Sequence, residues 1–251
     1  MTPTDVTTLR SSRSSLSVLA AATATHDTGR DDDIALPKLP GFVESAFSPL
    51  AYEVSSRCLT ARPGDGDRTA VALASLMGDT TTADLASRRV VSRRVLSPLL
   101  FMQATANSVL GHMSREFGIT GQMFSLSTLD DPLAELLTMA DLLLEEPELD
   151  RVLVLAVELG GGGRVAAVHR ELAADSGRPD PALPASAGLA AAVLLGRPDD
   201  AAGAQVSIRA TGVAPRPGSI QSLFELATAH AEPRTEAGPS TETETHTHAH
   251  Q

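Results

Sequence analysis

Short, nearly continuous apolar runs alternate along this chain with segments whose apolar residues recur at helical spacing. Three runs, at residues 69–77, 152–159 and 188–195, are typical of strands covered on both faces. Helical spacing is clearest after Pro132, in the series Leu133, Leu136, Leu137, Ala140, Leu143 and Leu144. The alternation predicts an α/β fold in which a mostly parallel five-stranded sheet carries helices on both faces.

Composition separates a folded body from polar ends. Residues 1–15 are rich in Ser and Thr and are predicted to be flexible, whereas residues 16–212 are predicted to form one domain. Residues 213–230 retain a few apolar positions, which suggests a docked helix. Residues 231–251 are low-complexity Thr/Glu/His sequence, predicted to be a disordered, solvated tail. Binding of a metal by this tail is the open alternative, because its histidines stand at alternate positions: His246, His248 and His250.

Charge and cysteine content exclude several classes of protein. The 251 residues include 31 acidic and 20 basic side chains, a net charge of −11, which argues against a general nucleic-acid or anionic-membrane binder. No apolar run is long enough to span a bilayer, so a cytoplasmic protein is predicted. The single cysteine excludes a Cys-rich metal site. Cys58 is in helical register with Leu50 and Val54, so a buried structural thiol is expected.

A glycine run after the strand at residues 152–159 formally matches the dinucleotide-binding pattern G-x-G-x-x-A. Gly161, Gly163 and Ala166 hold its fixed positions. A flexible loop is the favoured interpretation, because only two predicted strands follow, whereas a Rossmann domain needs about five more elements. A nucleotide-binding α/β enzyme that uses residues 161–166 remains the alternative hypothesis. The sequence contains no G-x-S-x-G elbow, P-loop or H-E-x-x-H motif.

Residues 97–157 carry the most specific pattern in the chain. A segment with P-x-x-F-x-x-x-x-x-N spacing is followed by G-x-x-G, a Ser-Thr turn, a helix rich in Ala and Leu, and an apolar strand. This series resembles the nucleophile region of the β-ketoacyl synthases, and the likeness extends over about residues 45–212. The positions that match are Pro98, Phe101, Asn107, Gly111, Phe117, Gly118, Thr120, Gly121, Ser127, Thr128 and Ala140. The resemblance implies one half of the thiolase-like fold.

Two departures from the family pattern argue against catalysis. The position of the family's nucleophilic cysteine falls at Asp130, or at Leu129 if the one-residue gap is placed earlier. A carboxylate at a helix N-terminus is stabilised, and its acyl product would be an unstable anhydride. The best structural role here is helix capping, with Asp131 as N-cap and Pro132 as the first helical residue. The histidines that the family contributes from its second half have no counterpart in this sequence. We therefore expect no catalytic residue, no cofactor and no metal site.

The resemblance implies a truncated, chain-length-factor type of protein that pairs with a full-length catalytic ketosynthase in type II polyketide or aryl-polyene systems. The family dimerises through the strand before the nucleophile, here residues 123–128, so this strand is expected at the interface. The residues expected to line the partner's acyl tunnel or the interface are Phe101, Met102, Gln122, Met123, Phe124, Ser125 and Leu126. Ordinary packing explains the same residues, and an inactive self-associating homodimer is the third hypothesis.

A basic cluster near residue 90 is unusual in so acidic a chain. It comprises Arg88, Arg89, Arg93 and Arg94. Acyl carrier proteins are acidic, so the resemblance makes this cluster a candidate docking site for such a carrier. A solvated helix end favoured by the helix dipole is the simpler interpretation.

Overall fold

The computed structural model describes residues 15–93, 98–127, 132–176, 183–184, 186–198, 204–207 and 219–231. Within them lie six strands: β1 (Ser15–His26), β2 (Thr69–Ala74), β3 (Met123–Leu126), β4 (Arg151–Leu159), β5 (Gly188–Gly196) and β6 (Gln205–Ser207). The helices are α1 (Phe47–Ala61), α2 (Thr80–Val91), α3 (Pro98–Gln103), α4 (Asn107–Phe117), α5 (Pro132–Leu143), α6 (Gly163–Ser176) and α7 (Gln221–His230). A 3-10 turn at Gly66–Arg68 precedes β2.

All six strands belong to one sheet with the order β3-β2-β4-β5-β1-β6. β3, β2 and β4 pair in parallel, whereas β5 runs antiparallel to both β4 and β1, and β6 runs antiparallel to β1. Four strands therefore share one direction. The α/β class is confirmed, but the described sheet has one strand more than expected, because β6 pairs with the first three residues of β1.

The sheet is covered on both faces, as the apolar strands predict. Every residue of β2, β4 and β5 is buried. On one face α5 and α7 pack against the sheet, and Leu136, Leu137 and Leu223 are fully buried there. On the other face α1 and α4 bury Leu50 and Met113 against the same strands. Each helix thus contributes one apolar stripe to a three-layer arrangement.

Local capping residues set several helix ends. The Asp79 carboxylate accepts a hydrogen bond from the Thr82 N–H (3.0 Å), which begins α2. Burial raises the pKa of Asp79, although its hydrogen bonds from Thr82 oppose this shift. α4 ends at Gly118, whose φ of +63° is left-handed and favours glycine. Pro132 is the first residue of α5, as expected, whereas Asp131 lies outside the described residues.

Candidate interaction site at an open sheet edge

β3 is an edge strand whose outer side faces no other described strand. On its inner side, the Val71 N–H donates to the carbonyl of Gln122 (2.9 Å), and the Ser75 N–H donates to that of Leu126 (3.1 Å). Since successive strand residues direct their backbone groups to opposite sides, Met123 and Ser125 present theirs to the open side. This edge can therefore accept another strand.

The side chains of β3 divide between the two faces of the sheet. Met123 packs against the cluster that contains α1 and α4, whereas Phe124 and Leu126 pack against the cluster that contains α5. All four strand residues are only half-buried. An edge that is apolar on both faces and partly exposed lacks the charges and prolines that usually protect sheet edges.

Exposed apolar side chains are concentrated on the helices next to this edge. Five of the seven large hydrophobic residues that are exposed in the described part of the chain belong to α2 and α3. We call this group the α2–α3 patch: Val90, Val91, Leu99, Phe101 and Met102. α2 packs against α3, α3 against α4, and α4 against β3, so a continuous series of packed elements links the patch to the edge strand. Clustered apolar exposure of this kind marks an interaction surface.

The predicted tunnel and interface residues fall into three settings. Phe101 and Met102 are 48% and 64% exposed on α3, and Gln122 is exposed just before β3. The remaining four are the β3 residues themselves, placed on alternate faces. The structure also adds Val90, Val91 and Leu99, which sequence reasoning missed. For Val90 and Val91, the sequence feature that could have predicted exposure is a pair of valines between arginines. The helix that carries them buries Thr80, Thr82 and Ala86 instead.

The segment with P-x-x-F-x-x-x-x-x-N spacing, residues 98–107, does not form one continuous helix. The chain forms two helices there, because α3 ends at Gln103 and α4 begins at Asn107. The Thr105 hydroxyl donates to the Met102 carbonyl (2.8 Å), which satisfies an acceptor at the end of α3. The break turns α3 away as a separate short helix with Phe101 and Met102 on its exposed side.

The predicted nucleophile position, Asp130, lies outside the described residues. Its surroundings are partly defined, because the Ser127 hydroxyl donates to the Leu76 carbonyl (2.7 Å) and so joins the ends of β3 and β2. The carboxyl ends of the parallel strands thus meet where α5 begins.

Cys58 is a buried residue of α1, only 1% exposed, with its Sγ 3.7 Å from the Ala192 carbonyl. Burial raises the pKa of its thiol to about 12. The thiol is therefore protonated at neutral pH and has no access to a substrate, which agrees with the structural role expected from the sequence.

The basic cluster continues from the α2–α3 patch. Arg88 and Arg93 are exposed, whereas Arg89 is partly buried and forms an ion pair with Glu44 (3.6 Å). Arg93 adopts a left-handed φ of +52° just after α2. Arg94 lies outside the described residues. Two of the four arginines are thus exposed to solvent, and a third forms an ion pair.

The glycine run forms a short connection between β4 and α6: Gly160, Gly161 and Gly162 lie outside both elements, as the loop interpretation predicts, and Gly163 is already helical. Gly160 has no room for a side chain, since a Cβ there would lie 1.8 Å from the Pro184 carbonyl oxygen. Gly161 has a left-handed φ of +57°, and α6 begins at Gly163. β5 then returns antiparallel to β4, so this segment is not the parallel βαβ unit of a dinucleotide site.

The described residues offer neither a cluster of metal ligands nor a membrane-spanning helix. They contain no group of three or more His, Cys, Asp or Glu side chains placed to hold a metal ion. Among the same residues, no helix has the length and apolar character needed to cross a membrane.

Comparison with known proteins gives a structural match without a sequence match. No protein-family model matches the chain, and no curated protein matches it either. Among solved structures, the complex of the ketosynthase ApeO with its chain length factor ApeC from Xenorhabdus doucetiae matches 86% of this chain with a TM-score of 0.58 at 18% identity. The chain has a ketosynthase-type fold. The match covers 91% of the chain in that complex, so the two chains have similar lengths.

Two further complexes match with the same fold. AntDE:AntF, a type II polyketide synthase carrier protein with its ketosynthase, matches 75% of this chain at 13% identity and a TM-score of 0.56. The ishigamide ketosynthase/chain length factor matches 75% at 15% identity and a TM-score of 0.53. In both, the match covers 64% of the other chain, slightly less than two thirds. The predicted thiolase-like fold is thus confirmed.

Proposed function

We propose that this chain is a non-catalytic subunit of the chain-length-factor type, which pairs with a catalytic ketosynthase in type II polyketide or fatty-acid-like biosynthesis. The main observation in support is the outer edge of β3, which no described strand covers, together with the exposed α2–α3 patch. A sheet edge with apolar flanks is a site at which another chain can add. The ketosynthase–chain length factor complexes with the same fold favour a ketosynthase as that chain.

The second part of the proposal is that this chain does not carry out the thiol chemistry of a ketosynthase. Cys58 is buried and protonated on α1, where its Sγ lies 3.7 Å from the carbonyl of Ala192 at the middle of β5. Asp130 takes the position at which the resemblance expects a nucleophile. A carboxylate there cannot form the thioester on which condensation depends.

Pairing is tested by placing a charge on the α2–α3 patch. Met102→Asp should abolish co-purification with the ketosynthase, because a carboxylate would be buried in an apolar interface. Leu142→Asp is the matched control, since Leu142 is an apolar residue of similar exposure (55%, against 64% for Met102) on α5, outside the patch. Equal retention of the partner by the two variants would contradict the proposed interface.

Backbone pairing at β3 is tested separately with proline. Ser125→Pro removes an N–H that points to the open side and leaves the hydrogen bonds to β2 intact, so the subunit should fold but lose its partner. Sizing of the wild-type chain alone completes this experiment. A stable homodimer that excludes the ketosynthase would favour the inactive homodimer instead.

We expect this subunit to line the end of the partner's acyl tunnel with large apolar side chains near β3. Phe101 and Met123 bring large side chains without hydrogen-bonding groups to this side of the molecule, as the end of an acyl tunnel requires. Phe101→Ala and Met123→Ala, each co-expressed with the ketosynthase, should therefore lengthen the product. Product of unchanged length in both variants, with the complex intact, would argue against this role.

The exposed Arg88 and Arg93 are proposed as a steering site for an acidic acyl carrier protein. Their position beside the α2–α3 patch would bring the carrier to the subunit interface. Because steering is electrostatic, its contribution should be strongest at low ionic strength.

A further inference from the structure

A cavity of about 650 Å³ lies at the carboxyl ends of two strands that run in the same direction, β1 and β4. These strands contribute their last residues, His26 and Leu159, and α2 contributes Thr81 from its first turn. None of the lining residues belongs to β3 or to the α2–α3 patch. Cavities of this size at this edge of an α/β sheet are typical sites for small molecules.

One wall of the cavity is formed within residues 36–46, a segment whose shape is fixed by its own contacts. The Phe42 N–H donates to the Leu39 carbonyl (3.0 Å) and closes a tight turn. Gly41 occupies the third position of this turn with a left-handed φ of +90°. The Phe42 ring also packs edge-on against the His112 ring, with the centroids 6.0 Å apart. The wall is therefore formed before any ligand binds, which lowers the entropic cost of binding.

Most of the cavity lining is apolar. Val43 is 81% exposed, so folding leaves its side chain in water beside the cavity. A ligand with an apolar body would remove such surface from water, which is favourable. The larger apolar residues of the lining are Leu36, Leu39, Phe42, Val43, Pro49 and Leu159.

A lysine and a glutamate also line the cavity, and only the glutamate has an ion-pair partner. Glu44 lies 3.6 Å from the Arg89 guanidinium, which compensates its charge. Lys38 is exposed, and its side chain forms no ion pair or hydrogen bond with another described residue. It is also the only lysine of the 251 residues. The uncompensated charge among these two residues is therefore positive.

We propose that this cavity binds a small amphipathic carboxylate, whose apolar body fills the cavity and whose carboxylate pairs with Lys38. Hydrogen bonds between an ammonium and a carboxylate are stronger than those between neutral groups. The net charge of −11 attracts cations in general, so preference for an anion requires a local positive group such as Lys38. The proposal does not depend on the proposed function, because neither β3 nor the α2–α3 patch lines the cavity.

Titration calorimetry of the full chain with decanoate and decanol tests the role of charge, because the two probes share one alkyl chain. Decanoate should bind about threefold or more tightly than decanol. Lys38→Met should remove this preference and leave the affinity for decanol unchanged. Arg30→Met is the matched control, since it removes an exposed positive charge that does not line the cavity, and it should leave both affinities unchanged.

The location of binding is tested with Thr81→Trp. Thr81 is exposed on the first turn of α2, so an indole there should fill the cavity without unfolding the protein and should abolish binding of decanoate. Methylation with isotope-labelled formaldehyde keeps the charge of Lys38 and gives a single lysine NMR signal. This signal should shift as decanoate is added.

Three results would overturn the proposal. The first is the absence of decanoate binding to the wild type. The second is equal affinity of the wild type for decanoate and decanol, which would remove the role of Lys38. The third is undiminished binding by Thr81→Trp together with an unshifted lysine signal, which would place the ligand elsewhere. None of these measurements uses the ketosynthase, so their failure is distinct from failure of the proposed pairing.

Discussion

The burial of Cys58 makes a quantitative prediction about stability at alkaline pH. Burial raises the pKa of the thiol from an ordinary value of 9.0 to about 12. Between these values the unfolded chain has lost the thiol proton while the native protein keeps it. The free energy of unfolding should therefore fall by about 1.4 kcal/mol per pH unit in this window, or by about 2 kcal/mol between pH 8 and 10.5. Below pH 8 the contribution of the thiol should be constant.

Urea unfolding of the wild type and of Cys58→Ala across this range measures the effect. Cys58→Ala loses some packing, at a cost of about 1–2 kcal/mol near neutral pH, but it removes the titrating group. The difference between the two proteins isolates the thiol, since all other groups titrate in both. A difference that stays constant from pH 8 to 10.5 would refute the argument. So would labelling of the native thiol by a disulfide reagent at pH 7.5 as fast as that of a free cysteine.

Three further outcomes follow from the packing and the charges. Gly121→Ala should destabilise the protein by about 1–3 kcal/mol in thermal or urea unfolding, because its Cβ would lie 2.2 Å from a β2 carbonyl oxygen; Gly111→Ala, which has open space within α4, should be neutral or stabilising. Leu223→Ala should cost about 2–5 kcal/mol, because Leu223 anchors α7 in the core with no exposed surface. Arg88→Ala with Arg93→Ala should weaken carrier binding at low salt and flatten its salt dependence, measured by titration calorimetry; unchanged binding would argue against steering.

The sequence predicted the elements of the fold better than their arrangement. Apolar runs located β2, β4 and β5 because these strands are buried on both faces and need no polar residues. The antiparallel direction of β5 could not be predicted in this way, because a buried strand has the same composition in either direction. β6 has only three residues. It is defined by its pairing with the start of β1 more than by its own composition.

The candidate site was predicted in part, for similar reasons. The resemblance located β3 and the apolar residues of α3 from the sequence alone. Val90 and Val91 were missed because a helix that buries Thr80, Thr82 and Ala86 gives little sign of which side is apolar. The exposure of Phe101 and Met102 depends on the break between α3 and α4, which the spacing of residues alone does not predict.

On β1, Arg57 donates a hydrogen bond to the carbonyl of Thr23 and Arg62 donates one to the carbonyl of Leu19. These two contacts have a consequence for assembly. The described sheet exposes strand edges at both ends, and copies that joined β3 of one molecule to β1 of the next would add without limit. Guanidinium groups on the carbonyls, together with the irregular register between Val18 and Ala20, obstruct this head-to-tail growth. If β3 is the only edge of the described sheet at which a strand can add, association through sheet edges would stop at two chains instead of continuing into filaments.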